Sequence, residues 1–281
     1  MGFFDFLKAD KEKDIHVKET AHKLMEIMAR DSVTHRIYFH LEEGETYPID
    51  SKIGGAYYAP YDMEVPVNPE TNVRLNFLAQ VNFGQLPHLH GFPERGLLQF
   101  FIEDDDCFGI NFDALNEQTS WRVRFIEDVP NQIYEDEIVE DELTEDSTMP
   151  FPRGVCYKLI PETEHQAIPY GEYRYEKYLE KAIMEAGCYE EMQDEDFRSD
   201  VEDEIIDHSD FGTTQVGGYP YFVQSDIREE ERYSDKDVLL LSINSDEDIM
   251  WGDLGIANFL ISSEDLLSGD FSDVVYTWDC G

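Results

Sequence analysis

Four consecutive carboxylates, Glu103-Asp104-Asp105-Asp106, follow the apolar run GLLQFFI and are the first residues whose spacing suggests chemistry. Clustered oxygens after a strand can hold a hard cation, with Asp104 and Asp106 as the candidate ligands. A metal held there would support assisted hydrolysis. The EF-hand pattern is absent, because no Gly or closing Glu stands at the required place. A solvated turn is the plainer account of such a charge run. His88 and His90 flank Leu89 in a Pro-bounded loop, and alternate residues of an extended segment face one side. Two imidazoles there could meet one metal, although no third ligand is evident nearby.

A second set of residues suits binding rather than catalysis. Gln80, Gln99 and Asn258 are amides inside otherwise apolar segments. A buried amide needs partners, so each makes a cross-strand bond or contacts a ligand in a cleft beside Tyr57 and Tyr58. Trp251-Gly252-Asp253 and Trp278-Asp279-Cys280 pair a flat aromatic surface with a carboxylate. Such pairs bind a sugar, a base or a cationic side chain, or serve as packing anchors. The candidate binding set is therefore Tyr57, Tyr58, Gln80, Gln99, Trp251 and Asp253. Gly54-Gly55 and Gly217-Gly218 let backbone approach a ligand or let the chain adopt positive φ. Neither pair sits in a nucleotide-binding pattern, so no cofactor is expected. No Ser lies in a Gly-x-Ser-x-Gly elbow, and acidic neighbours would raise the pKa of Cys280. No catalytic residue is assigned.

Composition narrows the partners. The 281 residues carry 63 Asp and Glu against 21 Lys and Arg, a formal charge of −42. A field of that sign repels phosphate backbones and anionic lipid, which argues against nucleic acid and membrane as partners. It favours a basic protein partner, while solubility alone is the plainer account. With 41% hydrophobic residues, including 18 Phe and 16 Tyr, the chain can build a core despite its acidity. Cys107, Cys156, Cys188 and Cys280 form no Cys-x-x-Cys pair and read as reduced thiols of a cytoplasmic protein. The stretch Met1 to Lys8 lacks the pattern of a signal peptide, and no run approaches the roughly 20 apolar residues of a membrane span.

The elements that must position these residues follow from periodicity. Residues 13–30 have helical spacing through Ile15, Ala21, Leu24, Met25 and Met28. Leu75 to Phe83, Gly96 to Ile102 and Trp121 to Ile126 read as strands. Residues 135–147 are almost wholly acidic and read as a solvated connection. Helices are expected over 172–187 and 189–206, and β-type pattern returns after Gly212. The expected division is a first β-rich repeat with its helix over 1–134, an acidic linker over 135–152, and a helical insert with the second repeat over 153–281.

The repeat itself is visible in three ordered matches. IGGAYY at 53–58 is answered by VGGYPY at 216–221, LAQVN at 78–82 by LLSIN at 240–244, and GLLQFFI at 96–102 by GIANFLI at 255–261. Their separations drift only from 163 to 162 to 159 (217 − 54, 244 − 82, 255 − 96). The fold class that follows is α+β and β-rich. Duplicated antiparallel β units pack together, with an N-terminal helix and helices between the repeats.

These segments also carry a resemblance. SKIGG at 51–55, FLAQVNF at 77–83, the Leu86-Pro87 and Phe92-Pro93 pairs, GLLQFFI, VGGYPYFVQSD at 216–226, WGDLG at 251–255 and YTWDC at 276–280 resemble the YwqG-like family of bacterial proteins. That resemblance implies a compact, duplicated, β-rich α+β fold and no assigned activity. Some relatives sit in toxin-related gene neighbourhoods, which implies an immunity-like role. The expected function is a non-enzymatic binding module, with a metal-assisted hydrolase at Asp104 to Asp106 as the alternative.

Overall fold

The computed structural model of the chain describes residues 3–281, with side chains from residue 11 onward. Met1 and Gly2, which open the N-terminal stretch read above, lie outside the described residues. The chain forms two compact units, each assembled from two separate segments: Met1–Thr34 with His165–Phe211, and His35–Glu164 with Gly212–Gly281. This division cuts across the contiguous boundaries expected from sequence.

The first unit is helical. Helix α1 (Phe3–Ser32) packs on α2 (Tyr175–Ala186) and α3 (Glu195–Ile206). Its buried stripe is Val17, Ala21, Leu24 and Met28, spaced by three and four residues as one helical face requires. Ile15, expected on that stripe, is instead 46% exposed. Helix α2 ends at Gly187, whose φ of 72° lets its N–H reach the carbonyls of Ile183 and Met184. Helix α3 starts at Asp194, whose carboxylate accepts from the Phe197 N–H.

The second unit is built on one ten-stranded sheet. Its strands in chain order are β1 (Thr34–Glu43), β2 (Lys52–Gly54), β4 (Asn76–Asn82), β5 (Leu97–Ile102), β6 (Trp121–Ile126), β8 (Cys156–Gln166), β9 (Gln215–Gly217), β10 (Val238–Asn244), β11 (Ile256–Ile261) and β12 (Val275–Asp279). Short strands β3 (Tyr57–Tyr58) and β7 (Ile138–Val139) pair separately. The sheet order is β12-β11-β10-β9-β1-β8-β2-β4-β5-β6, which reads alike from either end. The two sets of matched segments therefore occupy corresponding places on either side of the central β1–β8 pair. Even irregularities correspond, since a bulge interrupts β4 between Phe77 and Ala79 and β10 between Leu239 and Leu241.

One pairing could not be read from sequence order. Strand β1 precedes β2 in the chain yet pairs with β9, with Ile37 opposite Val216. Strand β8 precedes β9 yet pairs with β2, with Tyr157 opposite Ile53. Each half thus borrows the leading strand of the other. The two ends of the sheet face each other: Phe100 of β5 lies 4.6 Å from Phe259 of β11, and Trp121 of β6 lies 5.6 Å from Tyr276 of β12, ring to ring. Apolar residues from both halves form one core there, which removes large aromatic surface from water.

Strand pairing does not close the sheet. The β5–β6 connection bridges the two end strands instead. Gln118 accepts the Val123 N–H of β6 with Oε1 and donates through Nε2 to the carbonyl of Phe271, just before β12. Leu115 O accepts the Tyr276 N–H of β12.

Residues 135–147, expected to be a solvated connection, are docked in part. Strand β7 lies within this run and pairs with β3, and the Asp141 carboxylate, 8% exposed, accepts from the Phe77 N–H and from Arg74. Backbone and side-chain acceptors inside an acidic run can satisfy a neighbouring edge, which charge counting does not reveal. Strand β8 and helix α4 (Ser263–Ser268) are among the elements that went unforeseen. Strand β8 contains Pro161 and several charged residues, and α4 begins at a capping Ser262 that accepts from the Asp265 N–H. Among the described residues, no helix is long and apolar enough to cross a membrane.

Candidate functional site

The amides singled out above lie in a polar row that crosses the first half-sheet. In register, Lys52 stands opposite Gln80, Gln80 opposite Gln99, and Gln99 opposite Arg124. Gln99 Nε2 donates to Tyr58 O at 2.8 Å and to Gln80 Oε1 at 3.0 Å, while Arg124 donates to Gln99 Oε1. Gln80 Nε2 donates to the carbonyls of Pro48 and Asp50. The Lys52 ammonium, fully buried, donates to Tyr47 O, Ala56 O and Thr46 Oγ1. Burial without a carboxylate partner lowers its pKa to about 8.

The second half repeats the plan with neutral groups. Gln215, Ser242, Asn258 and Thr277 stand in register across β9 to β12. Gln215 Nε2 donates to Gly217 O and Tyr219 O, Ser242 Oγ to Asn258 Oδ1, and Asn258 Nδ2 to Tyr221 O. In both rows, side chains pin the segment that follows the Gly-Gly pair onto the sheet. Gly54 and Gly217 adopt φ near +69° and +68°. A Cβ on Gly54 would stand 2.8 Å from Val155 O, and one on Gly217 would stand 2.6 Å from the Leu89 side chain. The glycines serve close packing.

The predicted binding residues are thus brought together only in part. Tyr57, Tyr58, Gln80 and Gln99 are neighbours, yet all four are buried and their amides are bonded within the protein. The Tyr57 ring stacks on Phe77 at 4.6 Å, and burial pushes its hydroxyl up to about 12. Trp251 lies elsewhere in the unit, fully buried and 5.1 Å from Phe108, which in turn lies 4.9 Å from Trp278. Asp253 is exposed beside it. None of these six residues lines the cavities of this unit described below.

The metal candidates are spoken for or dispersed. Asp104 Oδ1 accepts from the N–H and the hydroxyl of Thr148, and Asp105 accepts from the N–H groups of Cys107 and Gly109 within its own turn. Asp106 is exposed. Among the described residues, no group of three or more His, Cys, Asp or Glu side chains is placed to hold a metal ion. His88 and His90 are both exposed, and His88 stands 3.9 Å from Glu94.

What sequence reading missed is a cavity beneath the β4–β5 connection. It measures ≈190 Å³, with Ile37 of β1 and Val216 of β9 in its lining and Phe83, Leu86, Leu89 and Phe92 closing it from the connection. Asn82 caps the turn at Phe83–Gln85 by accepting the Gly84 N–H, and the Phe83 N–H donates to Gly96 O, so the connection is anchored at both ends. His88 and Glu94, 65% and 83% exposed, are its only charged or titratable lining residues. The signal was present in the sequence: apolar residues bracketed by Pro87 and Pro93 have no strand partner to explain them. A second, open depression of ≈460 Å³ shares Phe92, Pro93 and Glu94 with the cavity and extends to Phe125 and Leu267.

Electrostatically, the positive side chains of this unit are largely committed. Arg36 donates to Glu164, Lys236 to Asp273, Arg228 to Asp226 and Arg74 to Asp141. Arg36, Arg228 and Lys236 are buried. The helical unit does the same on its own surface, pairing Arg30 with Glu185, Lys181 with Asp31 and Arg198 with Glu202.

A family model described as "Domain of unknown function (DUF1963)" matches residues 51–280. No curated protein matches the chain.

Proposed function

The chain belongs to the DUF1963 family of unknown function, and from that premise we propose that it is a non-enzymatic module that binds a basic protein. The ordered motifs described above support a likeness to the YwqG-like proteins, and the toxin-related neighbourhoods of some of these favour a role of the immunity kind. The four free thiols fit a cytoplasmic setting. One observation carries the reading. A formal charge of −42 is accompanied by cations already held in internal pairs, so an approaching partner meets carboxylates. Such a field accelerates and orients the encounter with a positively charged surface.

The test is capture of purified basic and acidic proteins by the full chain at about 0.05 M and about 0.5 M salt, where screening differs by several ångströms of Debye length. Basic proteins should be retained at the lower concentration and released at the higher. Failure to retain any basic protein at either concentration would remove the reading.

A further inference from the structure

We propose that the cavity beneath residues 86–94 is an anchor site for one apolar side chain, of leucine to phenylalanine size, presented beside lysine or arginine by a basic protein partner. This inference deepens the proposed function and rests on it. Size sets the first limit. An apolar cavity of about 150 Å³ is enough to hold a benzene ring, and this one measures ≈190 Å³. Its walls are Ile37, Phe83, Leu86, Leu89, Phe92 and Val216, so a group entering it exchanges water for aliphatic and aromatic contact.

The arrangement of polar groups sets the second limit. His88 and Glu94 stand exposed at the rim, so the apolar walls carry no side-chain charge to pair with a polar group placed inside. The matching ligand is apolar at its tip and cationic outside. Glu94 also lines the adjoining depression with Arg95 and Glu127, where Arg95 pairs with Glu127 and Asp128, 67% and 88% exposed. That excess of carboxylates around an apolar hole complements a hydrophobic side chain flanked by cations, the usual form of an interface anchor.

In the other half of the sheet the space beside the connection is wide and open, a depression of ≈530 Å³ with Asp248 and Met250 in its lining. The corresponding β10–β11 connection buries its own indole, Trp251, against Phe108. In the β4–β5 connection, the φ of +68° at Gly217 and its missing Cβ let Leu89 settle over the strand pair without filling the space. The hole is therefore preformed, which lowers the ordering cost of binding.

The experiment uses the full chain and two synthetic peptides, Lys-Arg-Phe-Arg-Lys and the same peptide with Ser at its centre. Binding is followed by calorimetry and by methyl NMR of Ile37, Leu86, Leu89 and Val216. The Phe peptide should bind about tenfold more tightly than the Ser peptide and shift those methyl signals. Leu86→Trp, which fills the cavity from the partly exposed connection, should abolish the difference between the peptides. Glu94→Lys, at an exposed position that leaves the core intact, should weaken both peptides and keep the difference. Equal binding of the two peptides would overturn the anchor site while leaving the acidic-surface reading standing. No binding of either peptide would overturn the anchor site, and the acidic-surface reading would fall with it only if basic proteins also went unretained at low salt. Benzene shifting the methyl signals when the Phe peptide does not would also overturn the proposal, because the cavity would then serve a small apolar molecule.

Discussion

Lys52 and Gln215 occupy corresponding places and hold the same kind of backbone carbonyls, one with a charge and one without. Burying an ammonium among uncharged hydrogen-bond acceptors is costly, and this is why its pKa falls to about 8 from 10.5. A depressed value in the folded state means that the unfolded chain binds more protons between those two limits. The stability linked to Lys52 is therefore fully present above about 10.5 and is lost as pH falls to about 8. Lys52→Gln, which imports the solution used at position 215, should raise stability at neutral pH by roughly 1–3 kcal/mol. Urea titrations across alkaline pH should show wild type gaining on the variant as pH rises. Lys52→Met should instead destabilise, by about 1–3 kcal/mol, because the carbonyls it leaves are buried and unpaired. At this scale, sequence identified Gln80 and Gln99 as buried amides in need of partners. It could not say whether the partners were protein or ligand, since both satisfy the same donors.

Among the elements, the β5–β6 connection has a role out of proportion to its irregular backbone. Gln118 ties β6 to the segment before β12, across a gap that no strand pairing closes. Gln118→Ala should cost about 1–2 kcal/mol in denaturant unfolding, for the loss of bonds at both ends of a partly buried amide. Hydrogen exchange at the Val123 amide should accelerate more than at β4 amides in the middle of the sheet. An unchanged Val123 rate would mean that the edges hold together through core packing alone. Strands β4, β5 and β6 were legible because alternating or continuous apolar runs bounded by Gly and Pro leave few alternatives. Strand β8 was not, because Pro161 and its acidic second half break the apolar pattern while its first residues still pair with β2. The docking of the acidic run after β6, which reads as a solvated connection, was hidden for a related reason. Composition reports average solvation, whereas Asp141 is docked by two specific bonds.

For the whole molecule, the charge is a source of strain as well as of attraction. An excess of 42 negative charges repels itself in the compact state more than in the expanded one. Raising salt from about 0.02 M to about 0.3 M should increase the melting temperature by several degrees through screening. A melting temperature independent of salt would show that the fixed ion pairs already offset the repulsion. The sequence by itself determined the acidity, the helical and β-type segments, and the order of the matched motifs, because each of these is written in neighbouring residues. Tertiary structure alone decided that β1 pairs with β9 and β8 with β2, that the amides bond within the protein, and that a cavity opens beneath Leu86 and Leu89. Periodicity records which face of a segment avoids water. Which distant strand covers that face, and how completely, depends on contacts between residues more than a hundred positions apart.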